Sequence, residues 1–222
     1  MIRISLKGLA KFMTSSSLTQ RKTLRDYKFP EREGEAQATF YREARRFIRD
    51  FHQQGNPEGW LSKKASELRT LAQVRGAMSG IRLRHNSRAL VEYEQYWGAK
   101  HFQVLKSTSL ALHFHDVRIS VFPDVHVLED ETEKIIKFEF SADEPSDEVL
   151  KIMSQAMFEA ALEGGLGLSA KSVLILDVPR KRLYRGAKAG SKVRREIEAA
   201  CRTISDIWPA LESPRGGKQQ AS

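Results

Sequence analysis

The chain has 222 residues, 41% of them hydrophobic and 29% charged, a formal net charge of +9 and a pI near 9.7. That length and balance suit one globular domain with a proper core and a helical annex. No apolar run approaches the ~20 residues that cross a bilayer, and MIRISLKGLAKFM has neither a long apolar stretch nor a small-residue cleavage site, so no membrane partner and no signal peptide are expected. Cys201 is the one cysteine, which rules out an internal disulfide and a thiol-rich metal site and fits a cytoplasmic setting. The basic surplus favours polyanionic partners, because each neutralised phosphate releases counterions.

The first third reads as helical. ISLKGLAKFM suits a short helix or a strand. SSSLTQRKTLRDYKF offers serine caps for a helix from about Leu18, which Pro30 ends. Phe40, Ala44, Phe47, Ile48 and Phe51 recur at helical spacing until Gly55 to Pro57 breaks the pattern. Trp60, Leu61, Leu68 and Leu71 mark a further helix ending before Gly80, and Leu90, Tyr93 and Trp97 share one face of another that begins at Asn86 or Ser87.

The period then changes. Phe102 to Phe114, Val117 to Leu128 and Lys134 to Phe140 alternate or run apolar and are rich in Val, Ile and Phe, so three antiparallel strands in a meander are expected. Pro145 and the acids around it open a helix that a Gly pair stops near Gly164. KSVLILDVP reads as a central buried strand, KRLYRG as a further strand, and AGSKVRREIEAACRTISDIW as the last helix. Gly165 to Ser172 has the wrong spacing for a phosphate loop and reads as a helix-to-strand turn. Cys201 falls among small core residues of the last helix, and no nucleophile elbow occurs. The expected divisions are a helical N-terminal region (1–85), an α/β core with its C-terminal helix (86–208) and a disordered tail (209–222).

The charged hairpin FPDVHVLEDETEKIIKFEF carries the chemistry. Asp124 lies on its first strand, and Lys137 and Glu139 lie two apart on its second, so they share a face while Ile136, Phe138 and Phe140 take the other. Alternating Lys and Glu is also the pattern of a solvated face with cross-strand pairs. His113 with His115, and Asp124 with His126, form two further spaced-by-two pairs that a hairpin would bring together as ligands for Zn²⁺ or Mn²⁺. The clearest electrostatic feature is RKRLYRGAKAGSKVRR. It holds Arg180, Lys181, Arg182, Arg185, Lys188, Lys192, Arg194 and Arg195 with no acid, and Tyr184 is placed to stack on a base. Gly186 and Gly190 let backbone approach a phosphate, and Gly190-Ser191 opens a helix whose N-terminus attracts anions. Arg42, Arg45, Arg46 and Arg49 line one helix face, and Arg82 to Arg88 form a third basic cluster. These clusters suit nucleic acid, DNA or RNA, or an acidic partner protein. No base-reading motif is present.

The order of elements and the literal Pro123-Asp124 give the chain, from roughly Arg88 to Arg185, a resemblance to the PD-(D/E)XK nuclease superfamily. The resemblance implies an α/β, α+β-like fold with a restriction-endonuclease-like αβββαβ core behind the helical N-terminal region. It implies a metal-dependent nucleic-acid hydrolase in which Asp124 and Glu139 ligate Mg²⁺ or Mn²⁺ and Lys137 offsets charge on the phosphate. Glu92 or Glu94 would supply an upstream acid. The third strand departs from the family, which has acid-x-Lys where this chain has Lys137-Phe138-Glu139. The alternative is therefore a non-catalytic nucleic-acid-binding or assembly protein on a decayed nuclease scaffold.

Overall fold

A computed structural model describes residues 1–30, 39–106, 108–186 and 191–213. The opening stretch is both strand and helix. Strand β1 (Ile2–Ser5) buries Ile2 and Ile4 and exposes the residues between. Ser5 then accepts the Gly8 N–H and starts α1 (Leu6–Met13), which buries Leu6, Leu9, Ala10 and Phe12. Helix α2 (Ser17–Lys28) follows as expected, and Lys28 Nζ donates to the carbonyls of Trp208 at 2.7 Å and Leu211 at 3.0 Å. That clamp orders part of the expected tail: Trp208–Ala210 is a 3₁₀ turn and Leu211 is buried, while 214–222 lie outside the described residues.

Gly8 faces the Tyr27 ring so closely that a Cβ would lie 2.7 Å from Cε2. Gly8→Ala is expected to lower stability by about 1–3 kcal/mol through overpacking, read as a fall in the urea midpoint. An unchanged midpoint would mean that Tyr27 swings away freely.

Three helices form the second block: α3 (Arg42–Gln53), α4 (Trp60–Val74) and α5 (Ala77–Trp97). α3 buries Ala44, Ile48 and Phe51 as its spacing requires. α4 buries Leu61, Ala65, Leu68 and Ala72, and Leu71 stays outside. α5 starts well before Asn86 because Asn86 and Ser87 are not caps. Asn86 is fully buried, accepting the Ala44 N–H at 2.8 Å and donating to Phe40 and Arg82 carbonyls, and Ser87 donates to the Ala65 carbonyl. Polar residues that tie three helices together look like helix starts in a linear sequence. A boundary between 85 and 86 consequently falls inside a continuous helix.

The expected meander is divided between two sheets. β3 (Leu110–Phe114) pairs with β4 (Val117–Val121), and β1 joins β4 in parallel to give the order β1-β4-β3. The second sheet runs β2-β5-β6-β7-β8. It comprises β2 (Gln103–Val104), β5 (Val125–Glu129), β6 (Thr132–Glu139), β7 (Val173–Asp177) and β8 (Arg182–Arg185). The presumed second strand breaks at Phe122 to Asp124, where Pro123 has no N–H to give a ladder. The first thirty residues thus belong to the fold: β1 is a sheet strand, and α1 and α2 bury Leu9, Phe12 and Leu24 in the same core.

Helix α6 (Asp147–Glu163), capped by Ser146, crosses from β6 to the parallel β7, and α7 (Ser191–Ile207) leads into the 3₁₀ turn at Trp208. The architecture is mixed α/β, and β6 and β7 are the wall between two cores. Ile135, Val173 and Ile175 face a core built from the β1-β4-β3 sheet with α1, α2, α6 and α7. Ile136, Phe138, Leu174 and Leu176 face a second core built from α3, α4 and α5. Among the described residues no helix is long and apolar enough to cross a membrane.

Candidate functional site

Alternation along β6 puts Lys137 and Glu139 on the face that carries Ile135, with Ile136, Phe138 and Phe140 toward the helical core, as expected. Lys137 and Glu139 lie at the C-terminal end of β6, beyond its apolar part. Asp124 sits just ahead of β5, where its N–H donates to the Ile136 carbonyl at 2.8 Å. The Asp124 carboxylate is nearly buried and fully engaged. Oδ2 accepts the Phe138 N–H at 2.7 Å and lies 3.0 Å from Lys137 Nζ. Oδ1 lies 2.9 Å from Arg45 Nε of α3, an ion pair whose N–H does not point along a hydrogen bond. Lys137 also donates to the Phe122 carbonyl at 3.0 Å.

Glu139 has a separate cation. Lys7 Nζ, on the first turn of α1, lies 3.1 and 3.0 Å from its two oxygens, and Ser141 N–H donates to Oε1 at 2.8 Å. Tyr41 stacks on Phe140 with centroids 4.8 Å apart. Burial pushes its phenol up, Arg88 pulls it back, and Glu139 and Glu92 add to the rise. Tyr41 thus reports that Glu139, Glu92, Arg88 and Arg45 share one neighbourhood. Of the two upstream acids, Glu92 belongs to it, paired with Arg88 at 2.7 Å, whereas Glu94 accepts from Ser62. Beside Glu139 in the β6–β7 register stands Asp177, fully buried and held by Arg180 Nη1 at 3.1 and 3.2 Å.

The expected carboxylates and lysine therefore meet in part. Asp124 and Lys137 touch, and Glu139 extends the same strand face but pairs elsewhere. Arg45 was visible only as one of a row of arginines, and Lys7 and Tyr41 carried no sequence signal, because Lys7 is 132 residues from Glu139.

The histidine pairs do not combine. His113 and His115 belong to the β3–β4 hairpin of one sheet, and Asp124 and His126 to the β5 arm of the other. His113 stands opposite Arg118 and contacts Glu163, and His126 bridges Thr108 and Glu133. Among the described residues no three His, Cys, Asp or Glu side chains form a group that could hold a metal ion. Cys201 is a fully buried core thiol, as expected, and burial pushes it up to about 12.

The acid-free basic run is not acid-free in space. Arg180 is locked on Asp177 and on the carbonyls of Ser141 and Ala142. Arg182 pairs with Glu144, Arg194 with Glu159, and Lys192 approaches Glu196 at 3.8 Å. Lys181 sits over the Tyr96 ring. Tyr184 is half-buried against the first core, which removes much of its face from stacking, while Arg185 and Arg195 are exposed. Lys188 and Gly190 lie outside the described residues. Glu144 and Glu159 come from the segment before α6 and from α6 itself, which a linear window over 180–195 does not contain.

No family model, no curated protein and no solved structure matches the chain.

Proposed function

We propose that the chain binds nucleic acid through its phosphates at the charged end of β6, as a non-catalytic binding or assembly protein on a restriction-endonuclease-like scaffold. One observation carries this reading. At the end of β6, Arg45 and Lys137 hold Asp124 while Lys7 holds Glu139, so three basic groups stand against two carboxylates and leave a surplus of positive charge. Such a cluster attracts an anion and repels a dication. The wider basic surface, with Arg185 exposed, adds to the field along a polyanion. The order α5, antiparallel strands into β6, crossover α6 and parallel β7 supports the resemblance to an αβββαβ core.

A metal-dependent hydrolase is the second reading, favoured by the meeting of Asp124 with Lys137 at 3.0 Å on the strand face that carries Glu139. Asp124 and Glu139 would then hold Mg²⁺ or Mn²⁺, which supplies an activated water and neutralises the phosphodiester. The donor set as it stands is a poor fit, since Asp124 would have to release Arg45 and Lys137, and Glu139 would have to release Lys7.

Asp124→Asn separates the two readings while keeping volume and an acceptor for the Phe138 N–H. Under the binding reading it frees two cations, so affinity for a labelled oligonucleotide rises by about 3-fold at low salt. Under the hydrolase reading, plasmid, single-stranded DNA or RNA is cut in Mg²⁺ or Mn²⁺, and Asp124→Asn and Glu139→Ala abolish the cutting. Metal-dependent cleavage lost in both variants would replace binding by hydrolysis as the function. Absence of salt-sensitive binding and of cleavage would sink both and point to an acidic protein partner.

A further inference from the structure

We propose that Lys7, held by Glu139, is the residue of this site that contacts the nucleic-acid phosphate, and that Lys137 and Arg45, which pair with Asp124, hold the neighbouring β5–β6 junction in place. This rests on the nucleic-acid reading above and names the group that reads the ligand.

Exposure and valence distinguish the three cations. The Lys137 side chain is 21% exposed and that of Arg45 29%, whereas that of Lys7 is 61% exposed. Lys137 is already bonded to Asp124 and to the Phe122 carbonyl, both at 3.0 Å. Arg45 is flanked by Asp124 and by the Phe140 ring, 5.5 Å from its guanidinium carbon. Both are spent on holding the chain: Asp124 in turn accepts the Phe138 N–H, so this network fixes the junction of β5 with β6. Among the described residues Lys7 bonds the Glu139 carboxylate alone, with its ammonium 3.1 and 3.0 Å from the two oxygens. Most of its side-chain surface is open to solvent.

The backbone gives Lys7 a defined place. β1 is hydrogen-bonded in parallel to β4, and Ser5 caps α1 by accepting the Gly8 N–H. The elbow between strand and helix therefore sets where Lys7 projects. Glu139 is nearly buried and also takes the Ser141 N–H, so it acts as a fixed anchor that aims the ammonium outward. Glu139 keeps the Ser141 N–H when the mostly exposed Lys7 turns away, so little of the fold rests on the lysine. Lys7 is thus free to transfer a hydrogen bond to a phosphate oxygen without unravelling the fold.

The test is fluorescence anisotropy of a short labelled oligonucleotide, single-stranded and duplex, titrated with the full chain over a range of salt. Lys7→Gln is expected to weaken binding about 3- to 10-fold at low salt and to reduce the magnitude of the log–log salt slope by about 0.7–0.9, one phosphate contact. Lys7→Arg is expected to restore the slope. The urea midpoint of Lys7→Gln should match that of the wild type, which shows that the loss is not misfolding. If the wild type binds with a steep slope and Lys7→Gln is indistinguishable from it, the assignment of Lys7 falls alone. If the wild type does not bind, the nucleic-acid reading and this assignment fall together. If the wild type binds without cleaving, hydrolysis is excluded and Lys7 is still judged by its slope.

Discussion

Asp177→Ala is expected to cost about 3–5 kcal/mol of folding stability, the range for breaking a buried ion pair by removing one partner. Asp177 has no exposed surface, and Arg180 meets both its oxygens through Nη1 while the Arg180 N–H approaches Oδ1 at 3.3 Å. The same guanidinium donates to the carbonyls of Ser141 and Ala142, so the pair ties the turn after β7 to the segment that leaves β6. Truncation leaves a partly buried guanidinium without its counter-charge and opens a void beside Glu139. Urea unfolding checks the magnitude, and a loss below 1 kcal/mol would mean that Arg180 swings into solvent and the tie is dispensable. Asp177→Ala with Arg180→Leu should lose less than the sum of the two single variants, because the second change removes the orphaned charge. Ser141 supplies an N–H to Glu139, so loosening this tie also frees the Lys7–Glu139 pair to wander.

The elements that were legible in the sequence are those whose pattern is local. α3 shows its Ala44, Ile48 and Phe51 face at helical spacing, β7 is a buried strand that runs apolar up to Asp177, and the alternation of β6 puts Lys137 and Glu139 on one side. What local pattern could not show is where a continuous apolar run changes sheet. Val117 to Leu128 reads as one strand, yet Phe122 to Asp124 interrupts it and sends its halves to different partners. A parallel pairing between β1 and β4, more than a hundred residues apart, leaves no short-range trace either. The site divides along the same line. Asp124, Lys137 and Glu139 are near neighbours in the sequence, and the hairpin brings the first two together. The partners that decide their electrostatics arrive from elsewhere: Arg45 from α3, Lys7 from α1 and Tyr41 from the turn before α3. The same cause turned an acid-free basic run into a partly neutralised one, with Glu144 and Glu159 supplied across space.

Acidification from pH 7.5 to 4.5 is expected to remove up to about 3 kcal/mol of stability through His52 alone. His52 lies near the end of α3, buried against Phe102 at 4.7 Å between ring centroids. Asn56 donates through its amide to the carbonyls of Gly98 and Lys100, so its Oδ1 faces His52 Nδ1 at 2.9 Å and requires a proton there. Nε2 is left to accept from the Tyr93 hydroxyl at 2.7 Å, which needs a neutral ring. Burial chiefly holds the imidazole down from 6.5 to about 4, with the Asn56 hydrogen bond pulling the other way. Between those two values the unfolded chain takes up a proton that the folded chain refuses. The contribution is therefore complete above pH 6.5 and is lost as the pH falls toward 4. Protonation would also set an imidazolium N–H against the Tyr93 O–H, whose own ionisation burial pushes sharply upward, so tyrosinate cannot compensate. Urea midpoints measured at steps of pH for the wild type and His52→Gln resolve this. The variant starts less stable at pH 7.5 and should lose less on acidification, the two curves converging near pH 4.5. Parallel curves would show that His52 titrates normally and that the α3–α5 contact tolerates a charged ring.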